Sequence, residues 1–335
     1  MKIGIISFTQ QGALLAEKIK MQGESQGWSI SIERCTQGGL RAWTQEHFAK
    51  DDALLFIGSS GIAIRATAPF IKSKVTDPAV VVMDEAGSFV IPLLSGHLGG
   101  ANALSKKLAS MFGAVAVLTT ATDVRGVFSV DGWAQEQGLM VVNPENIKEI
   151  SSRLLDGKEV TLRSAFPIEG KLPEQVLLSE WEGDISITNE MESPRGLHLV
   201  APVVTLGVGC RRGTPKEKIE EAWWRTLLTS DIHPKAVFQV CSIDLKQEEP
   251  GIAEFCAERG LPFTCFSAEE LQSVKADISS SAFVKSITGV DNVCERSALF
   301  GAGEGAVLVK RKGIFQGVTM ALAMKPYIVR FEEGL

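Results

Sequence analysis

The stretch Ala53-Leu54-Leu55-Phe56-Ile57-Gly58-Ser59-Ser60-Gly61 decides how the first part of this chain folds. Its apolar run shows no polar alternation. That is the pattern of a strand covered on both faces, as in parallel sheets whose crossovers are helices. The small residues that follow read as a strand-to-helix turn. Outward from this stretch, residues 3–8 and the valine-rich residues 79–83 are runs of the same kind. Leu14 and Ile19 fit a helix between the first two, ending near Gly27. Beyond residues 89–91, Ala101, Leu104, Leu108 and Phe112 recur at helical spacing, with Lys106 and Lys107 on the wet face. Gly113 stops that helix, and residues 114–118 form the next strand.

From about Thr122 the pattern weakens. Asn143-Pro144 opens a helix through Leu155, and Pro167, Gly170, Pro173, Gly183, Pro194 and Gly196 punctuate short strand-like runs. A second α/β unit begins with a strand at residues 203–209. Thr214-Pro215-Lys216-Glu217 has the form of a capping box with proline at the first helical position, and Ser267-Ala268-Glu269-Glu270 is a second box. Residues 237–242 and 262–266 are strands, and 306–309 with 318–323 suggest a hairpin around Gly313. The expected fold is therefore α/β: an N-terminal α/β sandwich domain over 1–121, a small middle region over 122–202 and a C-terminal α/β domain over 203–335.

The chain of 335 residues, 45% hydrophobic and 22% charged, has enough apolar material for a large core without disulfides. A net charge of −6 with only two short basic runs, Arg211-Arg212 and Lys310-Arg311-Lys312, argues against nucleic acid but leaves room for an anionic small molecule. Six scattered cysteines form neither a CxxC pair nor a zinc-ligand spacing, so no metal site is expected and a reducing compartment is. No run approaches the ~18–20 apolar residues of a membrane span, and the start of the chain is too weakly apolar for a signal peptide. A cytoplasmic protein follows.

Four segments could carry chemistry. Gly58-Ser59-Ser60-Gly61 offers backbone amides at a helix start, with Arg65 one turn on; a plain tight turn is the competing reading. Ser95-Gly96-His97-Leu98-Gly99-Gly100-Ala101-Asn102 surrounds one histidine with glycines just before a helix. A helix start disfavours imidazolium, so His97 is expected neutral and suited to general-base work, against a purely structural histidine. Asp84 and Glu85 follow a strand and could act as base or orient a water, although a solvated turn competes. Asp77 reads as a turn cap. Gly207-Val208-Gly209-Cys210-Arg211-Arg212-Gly213-Thr214 carries two guanidinium forks suited to carboxylates. It lacks both a Walker lysine and dinucleotide glycine spacing. Cys210 has no histidine nearby in sequence, which favours a non-catalytic role.

These segments resemble the CbiG family. The likeness is carried by Gly58-Ser59-Ser60-Gly61-Ile62-Ala63-Ile64-Arg65-Ala66-Thr67-Ala68-Pro69, by Thr76-Asp77-Pro78-Ala79-Val80-Val81-Val82-Met83-Asp84-Glu85 and most clearly by Leu93-Leu94-Ser95-Gly96-His97-Leu98-Gly99-Gly100-Ala101-Asn102. The second unit is similar to the CobE/CbiG C-terminal domain through residues 206–213, 242–246, 249–251 and 260–262. The resemblance implies a cobalt-precorrin-5A hydrolase of anaerobic cobalamin biosynthesis, which opens a δ-lactone and releases a two-carbon unit as acetaldehyde to give cobalt-precorrin-5B. It implies no cofactor, because cobalt arrives inside the substrate, and at most transient contact with neighbouring pathway enzymes. The expected catalytic residues are His97, Asp84 and Glu85. The expected substrate-binding residues are Gly58, Ser59, Ser60, Gly61, Arg65, Ser95, Gly96, Gly99, Gly100, Asn102, Gly209, Cys210, Arg211 and Arg212. A tetrapyrrole carrier without catalysis, and a nucleotide-dependent α/β enzyme, are the competing readings.

Overall fold

The computed structural model describes residues 1–73, 76–192, 195–278 and 288–331. The chain forms two compact units. The first joins Met1–Glu136 with Ile147–Lys158; the second joins Gln137–Asn146 with the chain from Glu159 onward.

The first unit is a three-layer α/β sandwich. Its strands are β1 (Lys2–Ser7), β2 (Ser29–Arg34), β3 (Ala53–Ile57), β4 (Ala79–Met83), β5 (Phe89–Leu94) and β6 (Val115–Ala116). They lie in the order β2-β1-β3-β4-β5-β6. The apolar runs are buried on both faces, as their lack of alternation requires. Leu55, Ile57, Val81 and Met83 pack with Ile19 of α1 (Gln10–Glu24) and Leu104 and Leu108 of α4 (Ala101–Phe112). Leu54, Phe56, Val80 and Val82 pack on the other side with Trp43 of α2 (Leu40–Lys50) and Ala63 of α3 (Ser60–Thr67). Deleting a buried aromatic such as Phe56 in a core of this kind costs about 3–5 kcal/mol.

Strands β1 to β4 are mutually parallel, but β5 runs antiparallel to β4 and β6 follows β5. The expected strand at 114–118 is shorter than its apolar run, pairing over only Val115–Ala116. Three further helices complete the unit: α5 (Ala121–Arg125), α6 (Val130–Glu136) and α7 (Ile147–Leu155). A 3-10 turn at Pro144–Asn146 leads into α7, as Asn143-Pro144 suggests.

The second unit holds two larger sheets. One contains β7 (Met140–Val141), β8 (Val160–Ser164), β10 (Val176–Leu178), β11 (Ile185–Ile187) and β12 (Leu197–Val200) in the order β10-β8-β11-β12-β7. A small pair joins β9 (Ile168–Glu169) to β18 (Val329–Arg330). Pro194 lies outside the described residues. The other larger sheet has β13 (Val204–Cys210), β14 (Val237–Ile243), β15 (Phe263–Phe266), β16 (Val307–Phe315) and β17 (Val318–Met324) in the order β15-β14-β13-β17-β16. Its helices are α8 (Lys216–Ser230), α9 (Pro250–Arg259), α10 (Ala268–Gln272) and α11 (Val293–Ala302).

Two local expectations are corrected. The last hairpin turns at Gln316-Gly317, both at positive φ (46° and 87°), and not at Gly313, which stays inside β16. Paired positive φ values suit the twist of a two-residue hairpin, whereas Gly313 has nothing to turn. Pro215, not Thr214, is the N-cap of α8, because the Thr214 hydroxyl donates back to the Arg211 carbonyl at 2.7 Å. The box at Ser267-Glu270 forms as expected.

Two histidines meet inside this unit. The His198 and His233 rings lie 5.7 Å apart at a steep angle. His233 Nδ1 accepts from the Lys235 amide at 3.1 Å. Burial, the His198 ring and the Lys235 charge push His233 from the ordinary 6.5 down to about 4. Burial also lowers His198. Both rings are therefore neutral in the folded protein near neutral pH. Between about 6.5 and about 4 the unfolded chain binds protons that the folded chain refuses, so stability falls as pH falls through that window. Urea midpoints measured at several pH values should show this decline, and His233→Gln should flatten it relative to wild type.

Candidate active site

The reversal of direction between β4 and β5 gives the first sheet two rims of strand C-termini. Strands β1, β3 and β4 end at one rim, where Thr9, Gly58–Gly61 and Asp84–Gly87 lie. Strands β5 and β6 end at the other, beside the start of β4. There the Ser95 hydroxyl donates to the Asp77 carbonyl at 2.9 Å, while Asp77 caps the turn by accepting from the amides of Lys72 (2.8 Å) and Ser73 (3.0 Å).

This places the three candidate catalytic residues at two different rims. Strand β4 has 5 residues, and at about 3.3 Å per residue it spans roughly 16 Å. His97 therefore does not meet Asp84 or Glu85. Asp84 Oδ1 accepts from the amides of Ser88 (2.8 Å) and Phe89 (2.6 Å) and so braces the turn into β5. Glu85 accepts from the Thr9 hydroxyl at 2.5 Å. A catalytic grouping of His97 with these two acids is not realised, since the antiparallel return of β5 carries His97 to the opposite rim.

His97 instead meets polar side chains that arrive after β6. Its Nδ1 is 2.9 Å from the Ser129 hydroxyl, and its Nε2 is 3.3 Å from the Thr122 hydroxyl. Asp131 Oδ1 lies 3.9 Å from Nδ1 and accepts from Ser129 at 3.0 Å. The His97 side chain is 22% exposed, so the ring is within reach of solvent and of a ligand.

The glycine loop shapes this corner. Ser95 sits at φ 56° and Gly100 at φ 82°. The Gly100 amide donates to the His97 carbonyl (2.8 Å), that of Ala101 to Ser95 (3.1 Å) and that of Asn102 to Gly96 (2.9 Å). A Cβ on Gly99 would lie 2.2 Å from the Ser95 Cβ, so the loop closes on itself only without a side chain there. Asn102 is buried and donates to Thr120 (3.0 Å) and Asp123 (2.8 Å), while Lys106 holds Asp123 at 2.9 Å. Burial alone would raise the Asp123 carboxyl, but hydrogen bonds from Thr120, Lys106 and Asn102 outweigh it and keep the group below its usual range. Asn102 is thus a brace of the loop.

At the other rim, Gly58 packs against the Phe8 ring. Ser59 caps α3 without a side-chain bond, and Arg65 is exposed with its guanidinium curled back towards Gly61. Among the described residues Arg65 makes no ion pair. In the second unit, Arg211 and Arg212 are exposed after β13, also without an ion pair among the described residues. Their loop is anchored by buried Glu249, which accepts from the Gly213 amide at 2.6 Å and pairs with Lys246 at 2.8 Å. Gly209 packs on Thr319, whose hydroxyl donates to its carbonyl at 3.0 Å. Burial pushes the Cys210 thiol up, which keeps it protonated and unsuited to nucleophilic work.

Thr120, Thr122, Asp123, Ser129 and Asp131 were missed by sequence reasoning. The polar run Thr119-Thr120-Ala121-Thr122-Asp123 directly after an apolar strand was the available signal.

The fold and this corner define an α/β protein whose first unit offers a reachable histidine among hydroxyls, and whose second offers exposed arginines. Comparison with known proteins specifies the family. The cobalamin synthesis G N-terminal family model matches residues 42–123, and the cobalamin synthesis G C-terminus model matches residues 204–323. The chain is 34% identical over 308 residues to a cobalt-precorrin-5A hydrolase of Salmonella typhimurium, covering 86% of each chain. It is 31% identical over 329 residues to the cobalt-precorrin-5A hydrolase of Priestia megaterium, covering 91% of this chain and 86% of that one. A crystal structure of a putative cobalamin biosynthesis protein G homolog from Sulfolobus solfataricus aligns with TM-score 0.44 and 23% identity, over 96% of this chain and 97% of that one. The chain belongs to the cobalamin synthesis G (CbiG) family.

The loop geometry makes a test of its own. Gly99→Ala should lower the urea midpoint by an amount worth about 1–3 kcal/mol, the usual cost of forcing a group into filled space. An unchanged midpoint would show that the loop does not close on Ser95.

Proposed function

We propose that this protein is a cobalt-precorrin-5A hydrolase of cobalamin biosynthesis, with the chemistry centred on His97. The reading rests on the two curated relatives, each alike over most of both chains, and on one observation: the histidine of the most specific motif has both ring nitrogens beside hydroxyls while its edge stays reachable.

The reaction asks little of a metal. Water adds to the lactone carbonyl and gives up a proton, for which a neutral imidazole is a suitable acceptor near pH 7. The ring then opens to a carboxylate and a hydroxyl. Loss of the hydroxyl proton lets a C=O form as acetaldehyde departs; the macrocycle carbon keeps the electron pair of the broken bond and takes up a proton. The same imidazole can carry these protons in turn. Cobalt is part of the substrate, and no further cofactor is invoked. The acetate and propionate arms of the macrocycle are partners for Arg65, Arg211 and Arg212. Gly58, Ser59, Ser60 and Gly61 offer amides and hydroxyls to an anionic group at their own rim of the first sheet. Six unpaired cysteines fit a reducing cytoplasm. Among the described residues no helix is long and apolar enough to cross a membrane.

Acetaldehyde release from cobalt-precorrin-5A is the decisive assay, since a carrier would bind the substrate and release none. His97→Ala and His97→Gln should fold by circular dichroism and release acetaldehyde at least about a hundredfold more slowly. A wild-type rate in folded His97→Ala would remove His97 from the mechanism. Replacing Arg211 and Arg212 together by alanine should raise KM about tenfold or more with little change in kcat, the effect of losing a charge-assisted hydrogen bond to a carboxylate. An unchanged KM would take the pair out of substrate binding.

A further inference from the structure

Which ring nitrogen of His97 is basic follows from the hydrogen-bond polarity around it. Asp131 Oδ1 is 3.9 Å from Nδ1, too far for a direct bond. Ser129 stands between them, 2.9 Å from Nδ1 and 3.0 Å from Oδ1. An ionised carboxylate only accepts, and a serine hydroxyl has a single proton to give. The Gly132 amide also donates to the same Oδ1, at 3.1 Å, which holds the carboxylate in place. The Ser129 proton therefore goes to Asp131. Towards His97 the hydroxyl presents a lone pair, and Nδ1 must carry the proton. The opposite polarity would set a hydroxyl lone pair against the carboxylate oxygen and leave a mostly buried acceptor short of its donor.

We infer that Asp131 and Ser129 are positioning residues that hold His97 as its Nδ1–H tautomer, leaving Nε2 as the nitrogen that takes the proton. Thr122 is consistent with this on the far side of the ring. Its hydroxyl donates to Nε2 over 3.3 Å, a long contact that an incoming water can replace. The backbone makes room for the relay. A Cβ on residue 132 would lie 3.1 Å from the Ser129 hydroxyl and 3.5 Å from His97 Nδ1, so glycine there keeps both groups uncrowded. The inference deepens the hydrolase reading and rests on it for its catalytic consequence; the tautomer itself does not depend on the substrate.

The test is long-range proton–nitrogen NMR on the ¹⁵N-labelled full-length protein without substrate. The chain has four histidines, and the signals lost in His97→Gln assign those of His97. The expected spectrum has Nδ1 protonated and Nε2 in the range of a bare imine nitrogen. Asp131→Ala should weaken the preference for the Nδ1–H form, because the Ser129 proton then has no carboxylate to go to and can turn onto Nδ1. Ser129→Ala should lose the tautomer preference, and Ser129→Thr, which keeps the hydroxyl, should retain it. In the acetaldehyde assay Ser129→Ala and Asp131→Ala should lower kcat about tenfold or more with KM nearly unchanged, and Ser129→Thr should keep most of the rate.

A wild-type ring in the Nε2–H form overturns the inference, and so does an Asp131→Ala ring with an undiminished preference for the Nδ1–H form. The wild-type spectrum decides the tautomer even where a variant fails to fold. The two readings fail separately. A wild-type rate in His97→Gln removes the base and leaves the tautomer result standing. An Nε2–H ring together with an inactive His97→Gln removes the relay and leaves the hydrolase.

Discussion

The antiparallel pairing of β5 with β4 is the constraint on which the candidate site depends. In an open parallel sheet the strand C-termini, with their loops and helix starts, gather at one rim, and ligands bind there. Here Val82 faces Ile91 and Met83 faces Val90 in an antiparallel register, so the chain returns along the sheet and leaves β5 where β4 began. The parallel step to β6 then brings Val117 and the residues after it to that same corner. His97 can meet Ser129, Thr122 and Asp131 only because both strands run this way. The acids at the other rim are left to hold turns, and they do so with short bonds to amides and to Thr9.

The second unit repeats the mixture with a different outcome. Strands β13, β14 and β15 are parallel, β17 lies antiparallel beside β13, and β16 pairs antiparallel with β17 at the edge. Its arginine loop follows β13, at the C-terminal rim of the parallel strands. The loop gains its shape from Glu249, a carboxylate kept ionised although buried: burial would raise it, but Lys246 and the Gly213 amide outweigh that and hold it low. Anchoring the loop backbone through a buried acid leaves both arginines exposed, without an ion pair among the described residues. Gly207 serves the packing beneath, since a side chain there would run into the Cys294 carbonyl of α11. Gly207 and Gly209 of this motif therefore act in close packing, while Gly213, at φ 73° with nothing near it, serves the turn.

Much of this was legible in the residues. Unbroken apolar runs at 53–57 and 79–83 can only be strands with helices on both sides, and they are. Ser267 with Glu270 can satisfy each other's orphan amides, and they do. The loop around His97 stands out because three glycines flank one histidine. Strand direction was not legible, because an apolar run reads the same in either sense. That one ambiguity hid the fact that Asp84 and Glu85 end at the rim opposite His97. Ser129 and Asp131 were invisible for a related reason: they come 32 and 34 residues after His97, and only the turn of the chain past β6 brings them near.

The four histidines of the chain show how surroundings select one of them for chemistry. His47 lies over Gly4, stacks on Trp43 and gives Nδ1 to Asp51 at 2.5 Å, where Lys2 already pairs with the same carboxylate. That ring ties the end of α2 to β1. His198 is wholly buried with Nε2 on the Thr188 carbonyl at 3.0 Å, and His233 spends Nδ1 on an amide. Both lose basicity to burial, His233 to about 4, which makes them poor proton acceptors near neutrality. His97 has a hydroxyl at each nitrogen and a carboxylate one hydroxyl further back. The Thr122 hydroxyl can turn to suit either protonation state of Nε2, whereas an amide or a carbonyl cannot. A proton can therefore enter and leave His97 without stranding a buried partner, and this is the physical requirement for a group that must serve several proton transfers in one catalytic cycle.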